Sequence, residues 1–174
     1  MPLKYTILIF LAVLLLMIST AYADNITFKY GLGMDATFQK APSDVKYISF
    51  GYEQDLTFIF RAKYDVGYWN DIGTDHIVGP DTLARNSSAF VSASVGIRVQ
   101  PHWIYVENYW GISYLPNPDS QLGLPFEFTE ELGIGVMDQE GKSIGIEWRH
   151  FSNAGLSKEN KGRDFFLINV GVPL

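Results

Sequence analysis

Residues 150–156 have the sequence HFSNAGL, which contains a histidine and a serine two residues apart. A serine becomes a nucleophile when a base within hydrogen-bond reach takes its proton, and a third group must orient that base. Residues i and i+2 of a β-strand point to the same side, so His150 and Ser152 can meet if this segment is a strand. The pair therefore indicates acyl-transfer chemistry, provided that an acidic partner lies nearby.

Asp164 is the candidate for that acidic partner. It opens the last alternating segment of the chain and has the parity of its apolar side. A carboxylate at the end of an apolar stripe is costly unless it is paired, and His150 is the obvious partner. Two other interpretations remain open. Asp164 could belong to a solvated loop, and His150 could sit in an interfacial aromatic belt beside Trp148 with no catalytic role.

The elements that must position these residues are predicted to be strands throughout. Eight segments alternate between apolar and polar residues or are rich in β-branched and aromatic residues. They are residues 25–34, 45–53, 56–68, 89–99, 103–115, 126–138, 143–151 and 164–172. In the fourth segment Val91, Val95 and Val99 share one face, while Ser92 and Arg98 take the other.

Short and long connections between these segments alternate without a break. About two residues near Gln54, residues 100–102 and residues 139–142 are the short ones. Residues 35–44, 69–88, 116–125 and 152–163 are the long ones. Short periplasmic turns and long external loops are typical of outer-membrane barrels. We therefore predict an all-β fold, an eight-stranded antiparallel transmembrane β-barrel of the bacterial outer membrane, with both termini in the periplasm.

Composition alone would also suit a soluble periplasmic β-sandwich, and the connections favour the barrel. In a barrel the mixed polar face fills a narrow interior. There Arg61, Lys63, Arg98 and Arg149 are candidates to pair with Glu107, Glu131 and Glu147, and the sequence does not specify which pairs form. His150 and Ser152 have the parity of the lipid-facing stripe, so we expect them to point outward near the lipid headgroups.

The amino terminus indicates export. Lys4, an apolar run and the sequence Ala21-Tyr22-Ala23 predict a signal peptide of residues 1–23, cleaved after Ala23, followed by one barrel domain of residues 24–174. That domain has 12 basic and 19 acidic residues, a net charge of −7, which argues against a nucleic-acid partner. There is no cysteine, so disulfides cannot hold the fold.

The stretch HFSNAGLSKENKGRDF, residues 150–165, resembles the lipid A 3-O-deacylases of Gram-negative outer membranes. The resemblance implies an eight-stranded barrel that removes the 3-linked acyl chain of lipid A. It implies that Ser152 is the nucleophile and His150 the general base. Asn153, Gly155 and Asn160 match positions that the family associates with the oxyanion site and with activity.

The chain departs from the family pattern at two points. The family's acid is a glutamate twelve residues after the serine, where this chain has Asp164, which is shorter by one methylene. We therefore expect a small backbone shift or a longer bond to His150, with Glu159 as an alternative acid. The chain also ends in Val172-Pro173-Leu174 rather than in an aromatic residue, which bears on insertion into the membrane.

The predicted activity is a serine esterase that needs no cofactor and no metal, since His76 and His102 lie apart from His150 in the predicted topology. The expected partners are lipid A or lipopolysaccharide and membrane lipids, and the resemblance allows for a homodimer. Two alternatives remain open. One is a non-enzymatic barrel with a structural or adhesive role, and the other is an esterase that acts on phospholipid.

Overall fold

The protein forms a closed barrel of eight antiparallel strands. The structure is a computed structural model, and it describes residues 23–34, 45–56, 59–71, 87–118, 122–158 and 162–174. The strands are β1 (Ala23–Met34), β2 (Val45–Asp55), β3 (Phe60–Asp71), β4 (Ser88–Val99), β5 (Ile104–Tyr114), β6 (Phe126–Met137), β7 (Ser143–Ser152) and β8 (Arg163–Pro173). Each pairs with its sequence neighbours, and β1 pairs with β8 to close the barrel. The predicted fold class is confirmed.

The predicted signal peptide lies almost wholly outside the described residues, so it stays a prediction. In the part of the chain that the structure describes, no helix is long and apolar enough to cross a membrane.

The start of β3 differs from its predicted position. The prediction began the strand at Leu56, whereas the structure begins it at Phe60 and extends it to Asp71. The Leu56 amide donates to the carbonyl of Phe60 over 2.9 Å, and Asp55 is the last β2 residue in register with β3. The connection between β2 and β3 therefore lies between Asp55 and Phe60. The prediction misplaced the start of β3 because the apolar run LTFIF, residues 56–60, contains no Gly or Pro to indicate a turn.

The barrel is apolar outside and polar inside. Along β4 the side chains alternate, so that Val91, Val95 and Val99 are exposed while Ser92 and Arg98 are buried. The other strands follow the same order, with exposed valines, isoleucines, leucines and aromatics on the outer face. A soluble protein would place its charged face outward. The inverted arrangement is that of a membrane barrel and excludes the β-sandwich.

Charged side chains fill the middle of the lumen. Lys63 Nζ lies 2.9 Å from Glu131 Oε2 and 3.6 Å from Glu147 Oε2. Lys29 Nζ lies 3.0 Å and 2.9 Å from oxygens of the same two carboxylates. Arg98 pairs with Glu107 and also with Glu53. Because these charges are buried with opposite charges beside them, the lumen is a packed interior rather than an open pore.

A cluster of aromatic side chains closes the lumen near the long loops. This aromatic plug consists of Tyr47, Trp69, Phe90, Phe151 and Phe165, all almost fully buried. Ring centroids of contacting pairs lie 4.8 Å (Tyr47–Phe165) to 5.9 Å (Phe151–Phe165) apart. Phe151 and Phe165 belong to β7 and β8, so the plug anchors from inside the ends of the two strands that carry His150 and Asp164.

Replacing Lys63 with methionine tests the ion network. The variant leaves Glu131 and Glu147 short of one buried cation, and breaking a buried pair in this way costs about 3–5 kcal/mol. We expect a lower free energy of unfolding for K63M, measured by urea titration of the barrel refolded in lipid vesicles. The control is K142M, because Lys142 pairs with Glu140 at the exposed β6–β7 turn. Equal stability of the two variants would contradict the network's structural role.

Candidate active site

The register between β7 and β8 sets the geometry of the candidate site. His150 on β7 is the direct cross-strand partner of Asp164 on β8, and Phe151 is the partner of Arg163. On the other side of β7, His150 is in register with Glu130 of β6, and Ser152 with Phe128. Direct cross-strand neighbours on one face have Cβ atoms about 4.5–5.5 Å apart. The barrel thus brings an imidazole and a carboxylate into contact range on its outer face.

The His150 and Asp164 side chains are hydrogen-bonded. His150 Nδ1 lies 2.8 Å from Asp164 Oδ1, and the two side chains are 28% and 6% exposed. Asp164 therefore does not lie in a solvated loop. The longer bond expected from the shorter side chain is absent, because an aspartate directly opposite the histidine is already within reach.

Trp148 is a third member of this cluster, although its sequence position indicated only an aromatic belt. Its indole Nε1–H donates to Asp164 Oδ1 over 3.0 Å. Its ring also stacks on the His150 imidazole, with centroids 5.7 Å apart and planes 18° from parallel. One signal was available: Trp148 and His150 are two residues apart on one strand face, and an indole N–H in an apolar setting needs an acceptor.

Gly162 packs against the edge of the imidazole. It has a φ of +70°, and a Cβ at this position would lie 2.8 Å from His150 Cε1 and 3.5 Å from Nε2. Only a glycine satisfies both the backbone angle and the close approach. The residue therefore confines the imidazole on the side of the β7–β8 loop.

Ser152 lies two residues beyond His150 and shares its side of β7. Both side chains are partly exposed, whereas Phe151 between them is buried. Among the described residues, no hydrogen bond joins the Ser152 hydroxyl to the imidazole. The structure thus brings His150 and Asp164 together and puts Ser152 on the same face, without the serine–histidine bond. Such bonds are often loose before substrate binds.

Asn153 organises the loop that follows. Its side chain is fully buried, donates from Nδ2 to the Leu122 carbonyl over 2.6 Å and accepts the Gly155 amide at Oδ1 over 3.0 Å. The Leu156 amide returns to the Asn153 carbonyl over 3.0 Å, and Ala154 and Gly155 have φ of +52° and +81°. These values describe a type I′ turn.

Several predicted residues are not part of this cluster. Asn160, the alternative acid Glu159 and His76 lie outside the described residues. His102 is in the turn between β4 and β5, at the opposite end of the barrel. Within the described ranges, no three His, Asp or Glu residues are grouped as metal ligands would be.

These features define a class: a small membrane-spanning barrel with a packed polar lumen and a polar His–Asp–Trp cluster on its lipid-facing surface. The family model for lipid A 3-O-deacylase (PagL) matches residues 29–173. The chain therefore belongs to the lipid A 3-O-deacylase (PagL) family.

Individual relatives and a solved structure agree with this family. The lipid A deacylase PagL of Pseudomonas aeruginosa is 27% identical over 124 residues, 70% of this chain and 69% of the relative. The lipid A deacylase PagL of Bordetella bronchiseptica is 37% identical over 50 residues, 29% of this chain and 28% of the relative. The crystal structure of the outer membrane enzyme PagL matches with a TM-score of 0.65 at 18% identity, over 86% of this chain and 99% of that one.

The packing of Gly162 on the imidazole predicts the effect of Gly162→Ala. The added methyl group collides with His150, so we expect the ring to lose its fixed orientation. NMR of protein with isotope-labelled histidine would show altered tautomer signals for His150. Gly155→Ala is the control, because it has the same kind of backbone angle but its Cβ would meet nothing within 4 Å. An unchanged His150 signal in G162A would contradict the contact.

Proposed function

We propose that the protein hydrolyses the 3-linked acyl ester of lipid A in the outer leaflet of the outer membrane, with Ser152, His150 and Asp164 as a catalytic triad. Family membership supports a hydrolase that acts on lipid A. The observation that carries the proposal is the 2.8 Å contact between His150 Nδ1 and Asp164 Oδ1 on the lipid-facing side of the barrel. Ion pairs buried in the lumen stabilise the fold. A polar cluster on the lipid-facing surface costs free energy, and a catalytic role explains why it is present there.

In the proposed mechanism Nε2 of His150, the ring nitrogen farther from Asp164, is the general base. With Nδ1–H donating to Asp164, Nε2 is free to take the proton of the Ser152 hydroxyl as its oxygen attacks the ester carbonyl. The tetrahedral intermediate collapses, and His150 returns the proton to the departing sugar oxygen. Water, activated by the same imidazole, then attacks the acyl-serine and releases the fatty acid, which restores the free serine.

The oxyanion of the intermediate needs donors near Ser152. We propose that Asn153 and Gly155 serve this step indirectly, because their polar groups already hold the turn that begins at Asn153. We propose that Asn160 also serves the oxyanion site or positions the substrate, as the family resemblance implies. One donor of this kind contributes about 3 kcal/mol to stabilising the transition state.

The apolar surface around the cluster supports a lipid substrate. Phe128 is 48% exposed beside Ser152, and Phe166 is 44% exposed beside Trp148. Acyl chains of a lipid in the bilayer lie against such side chains, so an ester just below the headgroups can reach Ser152 without leaving the membrane. Export by the signal peptide, with cleavage after Ala23, is part of the proposal. A homodimer is compatible with it.

Replacing Ser152 with alanine tests the nucleophile. We expect S152A to keep the heat-modifiable migration of a folded barrel and to lose deacylation, because it removes the hydroxyl that attacks the ester in the proposed mechanism. The measurement is mass spectrometry of lipid A from outer membranes with and without the protein. Ser143→Ala is the matched control, since Ser143 lies at the opposite end of β7.

The outcomes separate the alternatives. Loss of one hydroxyacyl chain with wild type and S143A, but not with S152A, is the expected result. Full activity of S152A would refute the assignment. Unchanged lipid A with altered phospholipids would indicate a phospholipid esterase, and no lipid change at all would indicate a non-enzymatic barrel.

Replacing Asp164 with asparagine tests the acid. The amide preserves the shape of the side chain but removes the charge that stabilises the imidazolium. We expect kcat to fall by a factor of about 10² to 10⁴, as in other triads that lose the acid's charge. The measurement is release of fatty acid from lipid A in mixed micelles by purified protein. A variant within twofold of wild type would show that Asp164 is not the acid.

A further inference from the structure

Asp164 has two hydrogen-bond partners at one oxygen. Oδ1 lies 2.8 Å from His150 Nδ1 and 3.0 Å from Trp148 Nε1. The carboxylate has the outward parity of Phe166, which is 44% exposed, yet Asp164 as a whole residue is only 4% exposed. The indole and the imidazole together cover a charged group that would otherwise face lipid.

The indole bond also restricts the imidazole. An indole N–H can only donate, so Oδ1 must act as an acceptor there. In the proposed mechanism Asp164 is ionised and can only accept, so Oδ1 also accepts from His150; the proton is then on Nδ1, and Nε2 of the neutral ring keeps its lone pair. The stacking of the two rings, with planes 18° from parallel, limits rotation of the imidazole in addition.

We propose that Trp148 is a positioning residue of the triad, whose indole N–H holds the carboxylate of Asp164 against His150. This inference rests on the proposed function and names a further residue for the same site. It gives a physical reason why an aspartate suffices here: a short side chain has little freedom once a second donor holds it. Trp148 touches neither the ester nor the leaving group in this scheme.

A role in the interfacial aromatic belt is the competing explanation. Belt tryptophans sit at the membrane interface and contribute to anchoring rather than to chemistry. Trp110 provides the comparison within this chain. It lies on the outer face of β5, in register with Glu130, which is itself in register with His150. Trp110 is 54% exposed on the outer face and so provides a matched tryptophan without the Asp164 contact.

The test compares W148F with W110F in purified, folded protein. Phenylalanine keeps an aromatic ring on His150 and removes the N–H. Because hydrogen bonds to charged groups are worth more than neutral ones, we expect kcat of W148F to fall about tenfold or more. KM should stay within about twofold, since uniform binding of the lipid is unaffected. W110F should retain the kcat and KM of wild type.

A second variant tests whether Trp148 acts through the carboxylate of Asp164. Glutamate at position 164 is longer by one methylene, so its carboxylate can contact His150 from a position that the indole N–H does not fix. We therefore expect the W148F/D164E double variant to regain at least about threefold in kcat over W148F, with D164E alone as its reference. If kcat is not regained, the proposal is contradicted, because the loss of kcat in W148F would then not arise through the carboxylate.

The remaining outcomes are equally decisive. Equal losses in W148F and W110F would overturn the proposal in favour of a belt role, and so would a raised KM at unchanged kcat in W148F. Wild-type kinetics in W148F would overturn it as well. The proposed function fails separately, if wild-type protein leaves lipid A intact or if S152A is active. Heat-modifiable migration of every variant verifies that the barrel is folded.

Discussion

The antiparallel pairing of β7 with β8 is the constraint on which the candidate site depends. This register sets His150 directly opposite Asp164. A slip of one residue would move every side chain of a strand to the other face of the barrel. The imidazole would then enter the lumen, and the carboxylate would lose its partner. The site therefore exists only as long as the closed barrel keeps its register.

The lumen maintains that register from inside. Phe151 and Phe165 alternate with the site residues along β7 and β8 and pack into the aromatic plug with Trp69. Arg149, next to His150, is fully buried and donates to Tyr47 and to Asp65. Inward-facing residues are thus tied to strands across the barrel, while their neighbours are free to face the lipid. The inner face of β7 thus stabilises the fold, and its outer face carries candidate catalytic residues.

Much of the fold could be predicted from the sequence because its signal is a period of two. The alternation from Val91 to Val99 correctly predicted the two faces of β4. The alternation of short and long connections was consistent with eight strands. The turn before β3 was misplaced because residues 56–60 continue the apolar run without a turn residue. Lys29, Glu53 and Asp65 were missed as ion partners, because partners across a lumen are fixed by closure and not by spacing along the chain.

Part of the candidate site could be predicted for the same reason. His150, Ser152 and Asp164 share the lipid-facing parity of their strands, so the sequence could place them on one surface. The indole bond of Trp148 and the close approach of Gly162 depend on side-chain rotamers and loop geometry, which no spacing rule contains. The inward, fully buried position of Asn153 follows from the turn after β7, where strand parity ends.

The central claim, a serine on the barrel's outer surface activated by His150, is tested most directly by a fluorophosphonate, which reacts with activated serines. Folded protein in detergent would be treated with the reagent, digested and mapped by mass spectrometry. The predicted result is a single adduct on Ser152 that is lost in H150A. Labelling of another residue, or equal labelling of Ser152 in H150A, would contradict the claim.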